Sequence, residues 1–527
     1  MKPKHYLILF VIGLAFILVE AALIPVPGYM DAEYYYAGGS QLAAGRGFNE
    51  PFLWNFLDDP SSLPHPAFTY WMPLTSLLAG LSMALAGKID FFSGRLFFFL
   101  IAATIPPLTA YFSWKLNRRL LAAWLAGGLA IFSGFYAIYM GLTDTFALYM
   151  LLGSVFLILA VNRQSRPLLK LLGLGLIAGL MHLARADGIL WLGAGIFLAI
   201  FDTGPEKSGR LQEIKRWGLQ IGMVMVGYLL VMAPWYWRNL SLYGALFSPA
   251  SSRVLWLTDY NQMFDFPASQ INFQGWLNSG LAAALNERLA ALWLNLQTTL
   301  AVQADIFLFP LLLVGVWRLR RKRIIQVGLI LWGLTFLIMT VVFPLAGGRG
   351  GFFHSGAAFQ PIFWAAAIEG FLALIELGVK KRGWKFERAS RGFGVILIFL
   401  SLMLTSMLFL PQVMGDGPGP TPWTKSSSTY QAVDKYLLEN GAAQDQIVIV
   451  NNSPGYFVAT GRPAIVIPNG DTSAVMSVAV KYGASYLVLE QNSVEGLQSL
   501  YQNPVSTPGL QFMATIDQAQ VFRIQKP

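Results

Sequence analysis

The chain has 527 residues, of which 55% are hydrophobic and only 12% are charged, and its mean hydropathy is +0.53. Apolar stretches about 20 residues long recur along it, which is the pattern of an α-helical polytopic membrane protein. The net charge of +10 does not indicate nucleic-acid binding, because the basic residues lie in short tracts between the apolar stretches, where they set membrane orientation. The absence of cysteine excludes disulfides and thiolate metal sites.

Eleven apolar segments are predicted to cross the membrane, with the N-terminus inside and the C-terminus outside. The first follows Lys2 and Lys4 and could pass for a signal peptide, but no clear cleavage site follows it, so we expect an uncleaved helix. The predicted spans are 6–26, 93–113, 120–138, 143–161, 169–184, 188–201, 219–237, 302–317, 324–343, 356–379 and 392–411.

A twelfth apolar segment, 68–87, decides the topology. If it crossed the membrane, the basic tract 318–323 would lie on the side opposite to the N-terminus. If it lies in the outer interface, every main basic tract lies inside, as the positive-inside rule favours. We therefore predict interfacial helices within a first outer loop, 27–92. The inner tracts are then the N-terminus, 115–119, 163–170, 207–216, 318–323 and 380–391.

The first outer loop is rich in carboxylates. Asp31 opens it, and Glu33, Glu50, Asp58 and Asp59 follow. Carboxylates gathered at a membrane boundary favour a functional site, although an acidic loop could also simply stay solvated outside the membrane.

Three arginines lie at helix ends on the same predicted face as this loop. Arg185, Arg238 and Arg349 could each be an anchor at the lipid headgroups. Together on the face of the acidic loop, they indicate instead a site for an anion, and guanidinium groups bind phosphate with two parallel hydrogen bonds. His182, which falls inside a predicted span, is interpreted as a packing residue.

The C-terminal part has a different composition. The Gly- and Pro-rich segment that begins at Gly415 predicts a linker, 415–427, between a membrane domain, 1–414, and a small α/β domain, 428–527. The role of the α/β domain would be to cover the membrane site or to hold an acceptor, and we assign this domain no chemistry. The expected strands are 447–450, 464–467, 486–489 and 521–524, and the expected helices are 430–439 and 472–482.

Five short motifs, in order, carry a family resemblance. They are Asp31 with Tyr35 and Leu42-Ala43-Ala44-Gly45; His65 to Trp71; Tyr139 to Phe146; Gly179 to Gly188; and Ala233 to Asn239. This pattern resembles the GT-C membrane glycosyltransferases, especially the protein O-mannosyltransferase-like group that includes the aminoarabinose transferases acting on lipid A. The resemblance covers most of residues 1–411, and it departs from the aminoarabinose enzymes at His65, where they have Lys.

The resemblance implies transfer of a sugar from a polyprenyl-phosphate sugar to an acceptor, with inversion at the anomeric carbon. The acceptor oxygen must lose a proton as it attacks, so a carboxylate is needed as base; Asp31 is the candidate and Glu33 the alternative. The leaving phosphate is already ionised and needs electrostatic stabilisation rather than an acid. The candidates for that role are His65, Arg185, Arg349 and His354, and those for the substrate pocket are Asp144, Tyr35 and Tyr70.

The implied reaction requires no cofactor. Asp58 and Asp59 resemble a metal-ligand pair, and without cysteine they could hold only a weakly bound Mg²⁺ or Mn²⁺. The sequence identifies neither the sugar nor the acceptor, which could be a lipid, a glycan or a protein.

Two other classes of function fit a polytopic protein. A transporter or flippase of a lipid-linked or anionic substrate would show internal repeats and ionisable groups at the midplane, whereas this sequence has no clear repeat and gathers its ionisable groups at one face. A non-catalytic scaffold would have no need of Asp31. We therefore expect a multi-pass glycosyltransferase of the prokaryotic cell membrane, with its active site and C-terminal domain on the extracytoplasmic face.

Overall fold

The computed structural model describes residues 1–162, 167–201, 210–415, 417 and 419–525. Parts of the predicted inner tracts 163–170 and 207–216, and parts of the linker and the chain end, therefore lie outside the described residues.

Long apolar helices dominate the described chain. Seven of them are long and apolar enough to cross a membrane, and a bent pair, Leu120–Ile131 with Gly134–Met140, makes an eighth. Three further predicted spans are shorter apolar helices, Phe146–Val161, Ala186–Phe201 and Phe309–Leu319. The polytopic helical fold class is thus confirmed, whereas the number of eleven crossings stays a prediction. The seven long helices are Pro3–Leu23, Leu96–Asn117, Pro167–Ala184, Leu211–Tyr243, Arg323–Val341, Pro344–Arg382 and Phe386–Met414.

The first outer loop folds around two helices, Met30–Ala43 and Leu74–Ala86. They approach closely at Gly39, where a Cβ would come within 2.8 Å of the Ala79 side chain, so a larger residue would push the helices apart. Leu74–Ala86 has 13 residues, fewer than the roughly 20 that a crossing needs. Its length agrees with an interfacial position for 68–87.

Outside the long helices, the chain from 244 to 308 forms the helix Gly280–Gln297 and several short helical turns. Among the described residues, Ala137–Met140 is part of the bent pair, and the stretch Pro344–Arg382 is divided into Pro344–Ala346, Phe352–Gly356 and Gln360–Arg382 with irregular turns between them. Separate short helices are Phe91–Gly94, Pro249–Arg253, Phe273–Asn278 and Gln498–Gln502.

The helices Pro167–Ala184 and Arg210–Tyr243 pack tightly against each other through glycines on both sides. A Cβ on Gly175 would collide with the carbonyl oxygen of Val224, and one on Gly227 would collide with that of Leu172. Small residues at such crossings are typical of membrane helices, because they let two backbones approach.

The C-terminal part is a small α/β domain, as the sequence predicts. Its longer helices are Lys425–Glu439, Ser453–Thr460 and Thr472–Tyr482, of which the second was not predicted. Four strands agree with the prediction within a few residues: β4 (Val448–Val450), β5 (Ala464–Val466), β6 (Tyr486–Leu489) and β8 (Ala519–Ile524), while β7 (Leu510–Ile516) was missed.

Three two-residue strands of the first outer loop complete the β structure. They are β1 (Asn49–Glu50), β2 (Phe52–Leu53) and β3 (His65–Pro66), and β1 pairs with β3. Strand β2 instead pairs in parallel with β5, so it extends the C-terminal sheet, whose order is β2-β5-β4-β6-β8-β7. The first loop and the C-terminal domain are therefore joined by a shared sheet, which the sequence did not predict.

Candidate functional site

A cavity of about 530 Å³ lies where the first outer loop meets the ends of several helices. The loop contributes side chains from Met30–Ala43 and from the segment around Trp71, and the helix ends contribute the turns after Ala184 and before Gly356. The residues predicted from the sequence that line it are Asp31, Tyr35, Tyr70, Arg185, Arg349 and His354.

Two carboxylates and an imidazole meet at one end of this cavity. His354 Nε2 lies 3.4 Å from Asp31 Oδ2, and His354 Nδ1 lies 3.4 Å from Asp144 Oδ1. One ligand atom from each of the three side chains falls within 4.8 Å of the others. Asp144 does not line the cavity but lies directly behind His354.

Hydrogen bonds and stacking hold Asp144 and His354 in place. Asp144 is 1% exposed and accepts hydrogen bonds from the Tyr29 hydroxyl and from the backbone and hydroxyl of Thr145. The His354 ring stacks on Phe146, with 4.0 Å between ring centroids, and its Nδ1 lies 3.0 Å from the Thr145 hydroxyl. Such packing keeps both side chains oriented before any ligand arrives.

Asp31 differs from Asp144 in that its carboxylate reaches the cavity. It is the second residue of the helix Met30–Ala43, and its side chain keeps 28% exposure. Its environment is nevertheless protein on most sides, and this burial raises the pKa of Asp31 to about 6, although the nearby His354 opposes the shift. Among the described residues, no donor hydrogen-bonds to its Oδ1, so that oxygen is available to a ligand.

Asp31, Asp144 and His354 offer a set of ligands for a divalent cation. Metal–oxygen and metal–nitrogen bonds of about 2.0–2.2 Å separate adjacent ligand atoms by about 3.0–3.5 Å. The 3.4 Å between His354 Nε2 and Asp31 Oδ2 falls in that range, whereas the contact with Asp144 uses Nδ1, the other ring nitrogen, so only the first is a separation between two ligands of one ion. Two carboxylates and an imidazole suit Mn²⁺ or Zn²⁺ and can also accept Mg²⁺.

Two arginines line the cavity beside this group in different settings. Arg185 is 13% exposed; its Nε donates to Asp187 at 3.0 Å and its Nη2 to the Gly351 carbonyl at 3.4 Å. Asp187 also accepts from Ser355 at 2.6 Å, so Arg185 is held rigidly. Arg349 is exposed and lies over the Tyr260 ring, 4.6 Å from its centroid. It forms no ion pair within the described part of the chain.

The remainder of the cavity wall is largely apolar. Aliphatic and aromatic side chains from 246–255 and from Arg323–Val341 line one side, and Phe343 follows them. Trp54 and Trp71 stack at 4.2 Å on another side, next to Tyr70. The cavity therefore joins a charged end to an apolar region, which fits a ligand with a charged head and a lipid tail.

Glu33 lies outside the cavity, although it is only two positions from Asp31. Its side chain is 4% exposed and accepts a hydrogen bond of 2.7 Å from Asn452 of the C-terminal domain. Burial raises the pKa of Glu33 to about 7, while the bond from Asn452 opposes that shift. This position gives no support to Glu33 as the base.

His65 also lies outside the cavity, inside the folded first loop. Its ring is buried 3.5 Å from Glu50 and 3.5 Å from Asp58, and its Nε2 lies 3.0 Å from the Phe52 carbonyl oxygen. Burial lowers the pKa of His65, but the contacts with Asp58 and Glu50 outweigh it and raise the pKa above its usual value. The geometry thus supports a role in holding the loop rather than binding a phosphate.

Asp58 and Asp59 do not converge on a common point. Asp58 faces His65, whereas Asp59 forms an ion pair with Lys481 at 2.7 Å. Within the described ranges, the group of His, Asp and Glu that could hold a cation is Asp31, Asp144 and His354. The sequence predicts a role for each of the three residues separately. It does not predict the group, because nothing in a single sequence indicates that the three side chains meet.

Arg238, which the sequence left open, is held by the first loop. Its Nη2 donates to the Ala67 carbonyl oxygen at 2.6 Å, and its guanidinium lies 4.4 Å from the Trp235 ring centroid. It does not line the cavity, so it fits the alternative role of an anchor.

Comparison with known proteins bears on the fold. No model of a known protein family matches the chain, and no curated protein sequence matches it. Among solved structures, the oligosaccharyltransferase of Archaeoglobus fulgidus tethered to an acceptor peptide with the NVT sequon has a TM-score of 0.54 at 15% identity, over 93% of this chain and 69% of that one.

Two other structures of the A. fulgidus enzyme agree. The archaeal oligosaccharyltransferase AglB in complex with an inhibitory peptide and a dolichol-phosphate has a TM-score of 0.53 at 15% identity, over 94% of this chain and 72% of that one. The complex with Zn and sulfate has a TM-score of 0.51 at 16% identity, over 90% and 67% of the two chains. Likeness at such low identity shows the fold alone. This chain therefore shares the fold of the A. fulgidus oligosaccharyltransferase, which agrees with the GT-C fold that the resemblance in its sequence implied.

Proposed function

We propose that this protein is an inverting glycosyltransferase that moves a sugar from a polyprenyl-phosphate-linked donor to an acceptor on the extracytoplasmic face of the membrane. The observation that carries the proposal is the composition of one cavity. It combines a carboxylate with an available oxygen, Asp31, two arginines, and an apolar wall in a chain with a glycosyltransferase fold.

Donor binding would use both parts of the cavity. The apolar wall takes the first isoprene units of the lipid, and the phosphate lies towards Arg349 and Arg185. Arg349 is the better phosphate ligand, because its guanidinium is accessible and forms no ion pair with a described residue. Arg185 is already bound to Asp187, so it contributes a fixed positive potential and its remaining N–H groups.

In the transfer step, the acceptor oxygen attacks the anomeric carbon from the face opposite the phosphate. The bond from that carbon to the phosphate oxygen breaks, and the phosphate leaves with the electron pair. The acceptor proton passes to Asp31, which lines the cavity and whose Oδ1 accepts no hydrogen bond from a described residue. A single displacement of this kind inverts the anomeric configuration.

The charge that develops on the leaving phosphate must be stabilised. Asp31, Asp144 and His354 would hold a divalent cation, and such a cation, when bound, neutralises phosphate charge. Arg349 and Arg185 act on the same charge from the protein side. Asp31 is the member of the three that both faces the cavity and retains an oxygen for the acceptor.

The experiment that tests the proposal is transfer of labelled sugar by the purified protein with Asp31→Asn. Asparagine keeps the shape but cannot accept the proton, so we expect turnover to fall about 10²- to 10⁴-fold. Glu33→Gln should retain most activity, because Glu33 faces the C-terminal domain. Asp90→Asn serves as the matched control, since Asp90 lies in the same loop but caps a short helix outside the cavity. Near-normal turnover of Asp31→Asn would refute the role of Asp31.

A further inference from the structure

Three polar side chains form a hydrogen-bonded chain along one wall of the cavity. His182 Nδ1 lies 2.5 Å from the Tyr228 hydroxyl, which lies 2.6 Å from the Tyr236 hydroxyl. His182 and Tyr236, the two ends, line the cavity, whereas Tyr228 lies behind them. His182 lies beside Tyr228 because the helices Pro167–Ala184 and Arg210–Tyr243 are in close contact at Gly179. A Cβ added to Gly179 would lie 3.0 Å from the Tyr228 carbonyl oxygen.

The His182 ring is enclosed by protein. Its side chain is 3% exposed, and it forms no ion pair with a carboxylate of the described residues. Asp187, five positions later in the chain, is bound to Arg185 and Ser355. Among the described residues, His182 Nε2 has no hydrogen-bond partner, so it is the atom this ring can offer to a ligand.

A neutral imidazole has one nitrogen that donates a hydrogen bond and one that accepts, and this determines what His182 and Tyr236 can bind together. If Nδ1 carries the proton, it donates to Tyr228, Tyr228 donates to Tyr236, and Tyr236 donates into the cavity while Nε2 accepts. If Nε2 carries the proton, every bond reverses, and Nε2 donates while the Tyr236 oxygen accepts. In both cases the chain presents one donor and one acceptor.

That pairing selects the chemical class of the ligand. A phosphate or carboxylate only accepts hydrogen bonds and would leave one end of the chain unsatisfied. A hydroxyl both donates and accepts, and neighbouring hydroxyls on a ring can satisfy both ends at once. His182 precedes Arg185 by three positions, so such a ring would lie next to the cationic end of the cavity.

We propose that His182 and Tyr236, joined through Tyr228, form a subsite for the hydroxyl groups of the sugar ring on the donor. The inference rests on the proposed function and adds which residues bind the sugar as distinct from its lipid phosphate. His182 and Tyr236 contact the ring, and Tyr228 is a positioning residue that keeps the polarity of the two ends opposite.

The test compares the binding of polyprenyl phosphate with that of polyprenyl-phosphate mannose, glucose and arabinose to the purified full-length protein. We expect at least one sugar lipid to bind the wild type more tightly than polyprenyl phosphate. Tyr236→Phe and His182→Asn should each weaken that sugar lipid about 3- to 10-fold, as for the loss of one hydrogen bond. Both should leave the affinity for polyprenyl phosphate unchanged.

Controls make each outcome decisive. Tyr228→Phe, outside the cavity, should weaken sugar binding as well, whereas Trp237→Phe, 74% exposed on the same helix, should not. Equal weakening of polyprenyl phosphate in the variants would make this an anion site and overturn the proposal. Unchanged affinity of the variants for the sugar lipid would also overturn the proposal. The same holds if the wild type binds none of the three sugar lipids more tightly than polyprenyl phosphate. A wild type that binds none of the four lipids would instead defeat the proposed function itself.

Discussion

His354 contacts two carboxylates at once, one through each ring nitrogen. Either a divalent cation or the proton of an imidazolium can offset the charges of Asp31 and Asp144. Only the first case requires a metal ion in solution, so removal of metal by a chelator distinguishes the two.

The candidate metal group gives the first prediction at this scale. Asp144→Asn and His354→Gln each remove one ligand, so the affinity for Mn²⁺, measured by calorimetry on chelator-treated protein, should fall at least about 10-fold. Asp58→Asn is the matched control, because Asp58 faces His65 away from the group. Chelation should abolish transfer, and Mn²⁺ or Mg²⁺ should restore it. A wild type that binds no metal and resists chelator would favour the imidazolium.

Arg349 gives the second prediction, on donor binding. Arg349→Ala should reduce transfer roughly 30- to 1000-fold, equivalent to about 2–4 kcal/mol of transition-state stabilisation. Arg349→Lys should recover part of this, since it keeps the charge but loses the planar fork that binds phosphate. Arg288→Ala is the control, because Arg288 forms its ion pair with Glu287 outside the cavity. Unchanged donor affinity in both variants would remove Arg349 from the site.

Helical geometry explains which predictions on Asp31 and Glu33 agree with the structure. The sequence predicts that both residues lie in a loop, in which either carboxylate could reach the substrate. Both residues instead lie in the helix Met30–Ala43, where two positions correspond to a rotation of about 200°. Asp31 and Tyr35, four positions apart, therefore share the cavity face, whereas Glu33 faces Asn452.

Elements of very different predictability surround the site. The long apolar helices and the alternating C-terminal strands follow from composition and periodicity, so their sequence positions were predicted well. Strand β2 has only two residues and pairs with β5, which lies some 400 positions later in the chain. No local sequence pattern predicts such a pair. The helix Ser453–Thr460 was missed because Pro454 and Gly455 predict a turn, although Pro is well accommodated in a first helical turn.

The shared sheet gives a prediction at the scale of elements. Leu53 is 1% exposed and packs with Ile449 and Ile465 of the C-terminal domain. Leu53→Ala should therefore weaken the association of loop and domain by about 2–4 kcal/mol, as for other large-to-small core changes. Hydrogen exchange of the β5 amides should accelerate in the variant. Leu438 is 46% exposed in the same domain, so Leu438→Ala should leave the exchange of the β5 amides unchanged. Unchanged exchange in Leu53→Ala as well would show that β2 does not pair with β5 in solution.

At the scale of the whole molecule, ion pairs bring separate basic tracts to one end of the bundle. Glu376 binds Arg119 at 3.0 Å and Arg318 at 2.6 Å, so the tracts 115–119 and 318–323 lie together. His5 contacts Trp124, which brings the N-terminus to the same end. This is the arrangement that the sequence prediction requires of a chain in which 68–87 lies in the interface, and the position of 68–87 itself stays a prediction. The side of the membrane on which this end lies stays a prediction.

Cysteine labelling tests the orientation, and the lack of natural cysteine makes each introduced thiol unambiguous. Ser61, Lys88 and Lys425 are exposed at the end of the molecule that holds the first loop and the C-terminal domain, whereas Arg321 is exposed at the other. If the basic end lies inside, Ser61→Cys, Lys88→Cys and Lys425→Cys should react with an impermeant thiol reagent on intact cells, while Arg321→Cys should react only after permeabilisation. The reverse pattern would place the cavity on the cytoplasmic side, where an extracytoplasmic acceptor could not reach Asp31. Protection of Lys88→Cys together with labelling of Ser61→Cys and Arg321→Cys would show instead that 68–87 crosses the membrane.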